Sequence, residues 1–403
     1  MENIEKKDKV QKEALSAWLA ASKTGTCEIV TGLGKTFIAL HALYTMPKNM
    51  DLHLFLAETT SRETDLLKDI LKYNKIFDRD VLNDYNLKFF CYQSAYKWKG
   101  KEFGLVIGDE IHDSLTPSYV KFFLNNSYKA IIGLSATIEK STRYTNSKGD
   151  IYTKGDMLNK IAPICFKYNL KKAKMDSTTR DLDIYVIMHY LDEKEENITS
   201  GSKGNTFMQT EKAAYDYWDS QHKRSFFIAD EAMKQLKIRI TATKRSSILY
   251  KLKSKVKVVR DLLTAINTKT IVFGNSLDAL LQITPNVVSS RNNEAENKRI
   301  RDAFDNNKIS TIGSFKKLKQ GANLSDLDNC IMMSYYSTSK DLIQRIGRLR
   351  DNGKKGNIFI LLTENTQEEV WLEKMLAEAQ DYKIIYCPNV EYAIKKYKEN
   401  KDK

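Results

Sequence analysis

Thr31-Gly32-Leu33-Gly34-Lys35-Thr36 stands between an apolar run, Thr26-Cys27-Glu28-Ile29-Val30-Thr31, and a stretch from Lys35 to Met46 whose Phe37, Ile38, Leu40 and Leu43 fall on one helical side. Glycines at a strand-to-helix turn let backbone N–H groups face an anion, and the helix start adds its partial positive charge. A lysine and a hydroxyl immediately after complete a phosphate-binding loop. In that reading Thr31, Gly32, Leu33 and Gly34 form the cradle. Lys35 reaches the β- and γ-phosphates of ATP, and the Thr36 hydroxyl ligates Mg²⁺. The full consensus has glycine six residues before the lysine, where this chain has Ile29. The cradle is made of backbone amides, so that side chain does not break it. A glycine-rich turn before Lys-Thr also starts ordinary helices, so a second observation has to choose.

That observation is Gly108-Asp109-Glu110-Ile111-His112, entered from the apolar run Leu105-Val106-Ile107. Adjacent carboxylates at the end of a buried strand are costly unless a metal or a reaction uses them. With a phosphate loop elsewhere in the chain, Asp109 is expected to hold Mg²⁺ through its hydration water. Glu110 then orients and deprotonates the attacking water. His41, His53, His189 and His222 have no ligand spacing around His112, so a metal-ligand role for His112 is not expected. A hydrogen-bonding relay from the acidic pair to Ser135 or Gln344 is expected instead.

These residues need strands to deliver them. Short apolar runs at 26–31, 52–56, 88–92, 105–108 and 130–134 alternate with helix-like segments, the pattern of a parallel-sheet α/β domain. A second series at 184–188, 270–273, 310–313, 330–333 and 358–362 predicts another. The expected fold is α/β, with two doubly wound parallel-sheet lobes in tandem and the nucleotide site in the cleft between them. The expected boundaries are 1–180 for the first lobe, 181–375 for the second with an insertion at about 193–255, and 376–403 for a C-terminal extension. The lysine-rich end from Glu391 reads as a solvated helix.

Two more segments complete an ordered set: Gly133-Leu134-Ser135-Ala136-Thr137 and Gln344-Arg345-Ile346-Gly347-Arg348-Leu349-Arg350. From about Gln11 to Leu362 the chain resembles the superfamily 2 helicases and translocases of the DExH type, which are built from two RecA-like lobes. The resemblance implies that Ser135 and Thr137 couple hydrolysis to movement of the nucleic acid. It implies an arginine finger at Arg348 or Arg350, whose separation by Leu349 alone is one residue shorter than the commonest spacing, with Gln344 beside it. Gln11 matches the glutamine that recognises adenine, its amide both donating and accepting. Thr59, Arg62, Gln93 and Ser94 match first-lobe segments that grip the strand backbone. Gly274 and Asn275 match the corresponding second-lobe segment. Ser314, Lys316, Gly321 and Asn323 lie in a segment resembling the one that links nucleic acid to the ribose and phosphates of ATP. The wording of the acidic and arginine motifs is closer to DNA motors of the phage recombination and restriction type than to Asp-Glu-Ala-Asp RNA helicases.

Composition agrees with a nucleic-acid partner. The 403 residues carry 65 Lys+Arg against 51 Asp+Glu, a net charge of +14, and a hydrophobic content of 42% that can bury a core. The five cysteines form no C-x-x-C pair, which argues against a zinc site and fits free thiols in a reducing compartment. No apolar run is long enough to span a bilayer, and the first residues lack a signal-peptide core, so a cytoplasmic location and no membrane partner are expected. Nothing demands more than a monomer. Trp18, Trp98, Trp218 and Trp371 read as packing residues. The expected activity is an ATP- and Mg²⁺-dependent motor on DNA. An RNA helicase, or a nucleic-acid-dependent ATPase switch that remodels complexes without unwinding, is the alternative.

Overall fold

The computed structural model describes residues 2–48, 51–145, 151–202, 204–315, 327–335, 342, 349, 354–377 and 379–401. The chain divides into two compact units, Met1–Thr179 and Arg180–Lys403.

In the first unit, α1 (Glu2–Ala20) leads into β1 (Thr24–Ile29), and α2 (Lys35–Tyr44) follows the glycine loop. Next come β2 (Leu52–Ala57), α3 (Ser61–Phe77), β3 (Asn86–Cys91), β4 (Glu102–Asp109) and β5 (Ser127–Ser135). A short antiparallel ribbon, β6 (Arg143–Thr145) with β7 (Ile151–Thr153), precedes β8 (Ile164–Tyr168). The sheet runs β3-β2-β4-β5-β1-β8, and all of its pairings are parallel. The middles of its central strands β2, β4 and β5 are continuous buried runs, the pattern of a parallel sheet covered on both faces. Leu105, Val106 and Ile107 are fully buried, as are Ile131 and Ile132 on the neighbouring strand. Trp18 is fully buried and donates its indole N–H to the Ile131 carbonyl at 2.8 Å, fixing α1 to the sheet.

Register decides where the loops emerge. Cys27 of β1 and Asp109 of β4 both pair with Leu134 of β5, and Glu28 pairs with Ser135. The C-terminal ends of three adjacent strands therefore lie level. Parallel α/β sheets place their ligand sites at this edge.

The second unit contains β9 (Leu182–His189), the hairpin β10 (Glu196–Ser202) and β11 (Asn205–Thr210), then β12 (Thr270–Gly274), β13 (Val287–Ser289), β14 (Thr311–Phe315), β15 (Asn329–Met332), β16 (Gly356–Thr363) and β17 (Lys383–Cys387). Its sheet is parallel in the order β13-β14-β12-β15-β16-β9-β17. The insertion comprises the β10–β11 hairpin and two helices, Glu211–Ser225 and Glu231–Leu249. It has a small core of its own, with Ile198, Ala214, Tyr215, Leu249 and Leu252 against Trp218 and Trp371. The next helix, Lys253–Ile266, returns to the main core through Val256, Val259, Leu262 and Ile266.

A C-terminal extension over 376–403 does not exist as a separate element. β17 pairs in parallel with β9, and Val390, Ala393 and Tyr397 of the last helix, Val390–Lys401, are buried in the same core as Phe359 and Leu361. Lysines on one face of that helix dominate its composition, while a small apolar stripe on the other determines its position. Among the described residues no helix is long and apolar enough to cross a membrane.

Candidate active site

The glycine loop leaves β1 in a conformation that needs its glycines. Gly32 and Gly34 have φ of +92° and +77°, in the left-handed region, and Gly34 is the N-cap of α2, which has no side-chain cap. A Cβ on Gly34 would stand 2.6 Å from the Gln11 amide nitrogen. Gln11, on α1, is buried and donates from Nε2 to the Leu33 carbonyl at 2.9 Å, holding the loop from behind. Its Oε1 is buried without a hydrogen-bond partner.

Facing the loop are the ends of β4 and β5. Asp109 is buried at the end of β4, and its backbone carbonyl accepts from the Tyr92 hydroxyl at 3.0 Å. Glu110 follows with φ +47°, unusual for a residue with a side chain. Lys35 Nζ donates to Glu110 Oε1 at 2.7 Å. Burial alone would raise the Glu110 pKa, but the Lys35 charge and its hydrogen bond, with His112 nearby, bring it below the ordinary carboxylate value. Glu110 is therefore a carboxylate at neutral pH. Its second oxygen, Oε2, is buried without a hydrogen bond and lies 3.4 Å from His112 Nδ1.

His112 is buried in a short 3₁₀ turn, with Nδ1 2.7 Å from Ser135 Oγ and Nε2 3.1 Å from Asp113 Oδ1. Ser135 Oγ donates to the Thr137 carbonyl at 3.0 Å. A chain of polar contacts thus runs from Glu110 through His112 to the Ser135–Thr137 segment. Asp113, which has no distinctive sequence signal beyond adjacency, is its additional member.

Arg62 differs from expectation. Matched to a strand-gripping segment, it instead lies with its side chain 17% exposed against the end of β4 and the start of α2. Its Nε donates to Asp109 Oδ2 at 2.7 Å and its Nη2 to Thr36 Oγ1 at 2.8 Å. The first turn of α3 follows directly on β2, and β2 pairs with β4, so a long side chain there reaches the β4 terminus. Thr59, Gln93 and Ser94 are exposed just beyond β2 and β3, and the Thr59 carbonyl accepts from the Arg62 backbone N–H at 3.2 Å.

In the second unit Gly274 ends β12, with Asn275 following it. Ser314, paired with Phe273, is buried with its hydroxyl unpartnered. Lys316, Gly321, Asn323, Gln344, Arg348 and Arg350 lie outside the described residues.

The geometry fits a nucleoside triphosphate with a hard cation. Thr36 Oγ1 and Asp109 Oδ2 converge on one guanidinium, and Mg²⁺ is ordinarily held by such a small oxygen set together with phosphate and water. Gln11 Oε1 is a buried acceptor of the kind an adenine amino group satisfies.

Comparison with known proteins points the same way. Residues 5–140 match the family described as type III restriction enzyme, res subunit, and residues 254–353 match the helicase conserved C-terminal domain. A DNA 3'-5' translocase, XPB2 of Sulfurisphaera tokodaii, is 25% identical over 388 residues, 90% of this chain and 84% of the relative. Among solved structures, S. cerevisiae Dbp5 bound to RNA and ADP BeF3 superposes with a TM-score of 0.61 at 12% identity, covering 96% of this chain and 93% of that one. The type ISP restriction-modification enzyme LlaBIII bound to DNA gives a TM-score of 0.58 at 14% identity, covering 94% of this chain and only 31% of that enzyme. At these identities the two structures share the fold.

Two RecA-like lobes, the first carrying a glycine loop opposite paired carboxylates, define a nucleic-acid-dependent ATPase. Residues 5–140 and 254–353 thus carry, in order, the domain matches of a superfamily 2 helicase.

Proposed function

We propose that the chain is an ATP- and Mg²⁺-dependent DNA helicase or translocase whose ATP site is the C-terminal edge of the first sheet. The observation that carries the site is the 2.7 Å contact between Lys35 and Glu110, made where Thr36 and Asp109 also converge. DNA is favoured by the translocase relative and by the restriction-enzyme family match, and the net charge of +14 fits an anionic polymer.

In this reading the amides of 31–34 and the α2 N-terminus bind the phosphates, and Lys35 exchanges Glu110 for the β- and γ-phosphates. That exchange releases Glu110 Oε1 to orient the attacking water and take its proton, a role suited to a carboxylate kept ionised. Thr36 and Asp109 would hold Mg²⁺, which when bound would supply positive charge against the charge that develops on the transferring phosphoryl group. Gln11 accepts from adenine while bracing the loop. Gln344 and either Arg348 or Arg350 are assigned by the family motif to the γ-phosphate. Through His112, Ser135 and Thr137, the state of Glu110 reaches the segment expected to move with the polymer.

Glu110→Gln should lower ATP turnover by about 10²–10⁴-fold, the usual worth of a general base. The same protein should bind ATP at least as tightly as wild type, because Lys35 loses the anion that competes with phosphate. Lys35→Ala should lose binding and turnover together. Near-normal steady-state turnover in purified Glu110→Gln protein would overturn the site assignment.

A further inference from the structure

Arg62 sits where two requirements conflict. Asp109 Oδ2 and Thr36 Oγ1, the oxygens that the proposed nucleotide site offers to Mg²⁺, are both engaged by its guanidinium, at 2.7 and 2.8 Å. The third nitrogen, Nη1, lies 3.6 Å from Asp69 Oδ2, two turns further along α3, so the fork is held from both sides. Mg²⁺ demands near-octahedral oxygen ligands at about 2.0–2.1 Å, so a cation ligated by Thr36 Oγ1, with a hydration water on Asp109, would stand close against this guanidinium and be strongly repelled by it.

We infer that Arg62 is a cation gate: its guanidinium holds Thr36 and Asp109 in the nucleotide-free chain and leaves both when Mg²⁺ arrives with nucleotide. This rests on the proposed nucleotide site. Arg62 is one turn from the exposed Thr59 and Thr60 at the exit of β2, the segment whose sequence matches a strand-gripping motif. A released Arg62 is therefore placed to meet backbone phosphate, and Arg pairs with phosphate bidentately. The two positions of one side chain then link the two ligands. Mg²⁺-nucleotide frees a cation for DNA, and DNA that captures the cation clears the metal position. Linkage requires the effect to be equal in both directions.

The test uses Mn²⁺ as a paramagnetic stand-in for Mg²⁺. Its affinity is measured by electron paramagnetic resonance on the full chain with a non-hydrolysable ATP analogue, with and without a single-stranded DNA oligonucleotide. Wild type should bind Mn²⁺ more tightly when DNA is present. Arg62→Ala should bind it about tenfold more tightly than wild type without DNA, within the usual range of coupling between sites, and DNA should add nothing. Arg62→Lys, which keeps the charge but cannot fork across both oxygens, should fall between the two. If Arg62→Ala does not fold, by its melting curve, the lysine variant decides: tighter cation binding supports the gate and unchanged binding overturns it. Unchanged or weaker Mn²⁺ affinity in Arg62→Ala, with the ATP analogue still bound, overturns the gate alone. Failure of wild type to bind the analogue at all overturns the nucleotide-site reading beneath it.

Discussion

Lys35 and Glu110 meet at 2.7 Å because each closes a different strand-to-loop transition on one sheet edge. Both were legible in the sequence, since a glycine loop and an acidic pair are local patterns with their strand written beside them. Arg62 was legible only as a residue worth singling out. Its partners depend on the pairing of β2 with β4 and on the reach of a long side chain, and neither leaves a local pattern. The glycine at 34 permits a direct check. With φ at +77° and Gln11 Nε2 2.6 Å from any Cβ, alanine there carries roughly 1–2 kcal/mol of backbone strain and displaces the brace behind the loop. Gly34→Ala should therefore weaken binding of a fluorescent ATP analogue about tenfold or more while circular dichroism stays native. Wild-type affinity would mean that the loop does not need its left-handed residue.

At the level of elements, the long apolar strands were readable and the marginal ones were not. β8, Ile-Cys-Phe-Lys-Tyr, and β17, Lys-Ile-Ile-Tyr-Cys, are edge strands whose outer sides are partly solvated. β13 is only three residues long, too short for periodicity to register. The lysine-rich last helix misleads for a related reason, because three buried side chains suffice to seat it. Lys255 was equally unreadable. In an amphipathic helix a lysine reads as exposed, yet here both Lys255 and Glu368 have fully buried side chains joined at 2.5 Å. Glu368 also accepts from the Thr363 amide at 3.0 Å, so this pair ties the helix after the insertion to the end of β16. Removing one partner strands a buried charge. Lys255→Met should lose about 3–5 kcal/mol of unfolding free energy in urea, and Lys255→Met with Glu368→Leu should recover most of the loss. Equal losses in the single and double variants would show that the charges do not act as a pair.

At the scale of the whole molecule, two parallel sheets follow from two series of apolar runs, and the division at Thr179/Arg180 falls just before the second series begins. The partner was readable only as a class. The net charge of +14 indicates an anionic polymer, and hydroxyl and amide contacts to phosphate carry no base identity. The insertion, with its own core around Tyr215 and Leu249, has no motif that declares a target. Nucleic acid, DNA above all, is expected to drive the ATPase. The most direct test is the steady-state ATPase rate at one fixed salt concentration with no polymer, single-stranded DNA, duplex DNA, a branched DNA junction and RNA. DNA should stimulate the rate strongly, and Glu110→Gln should abolish the stimulated rate. A rate that no polymer changes, or that RNA alone raises, would contradict a DNA-driven ATPase.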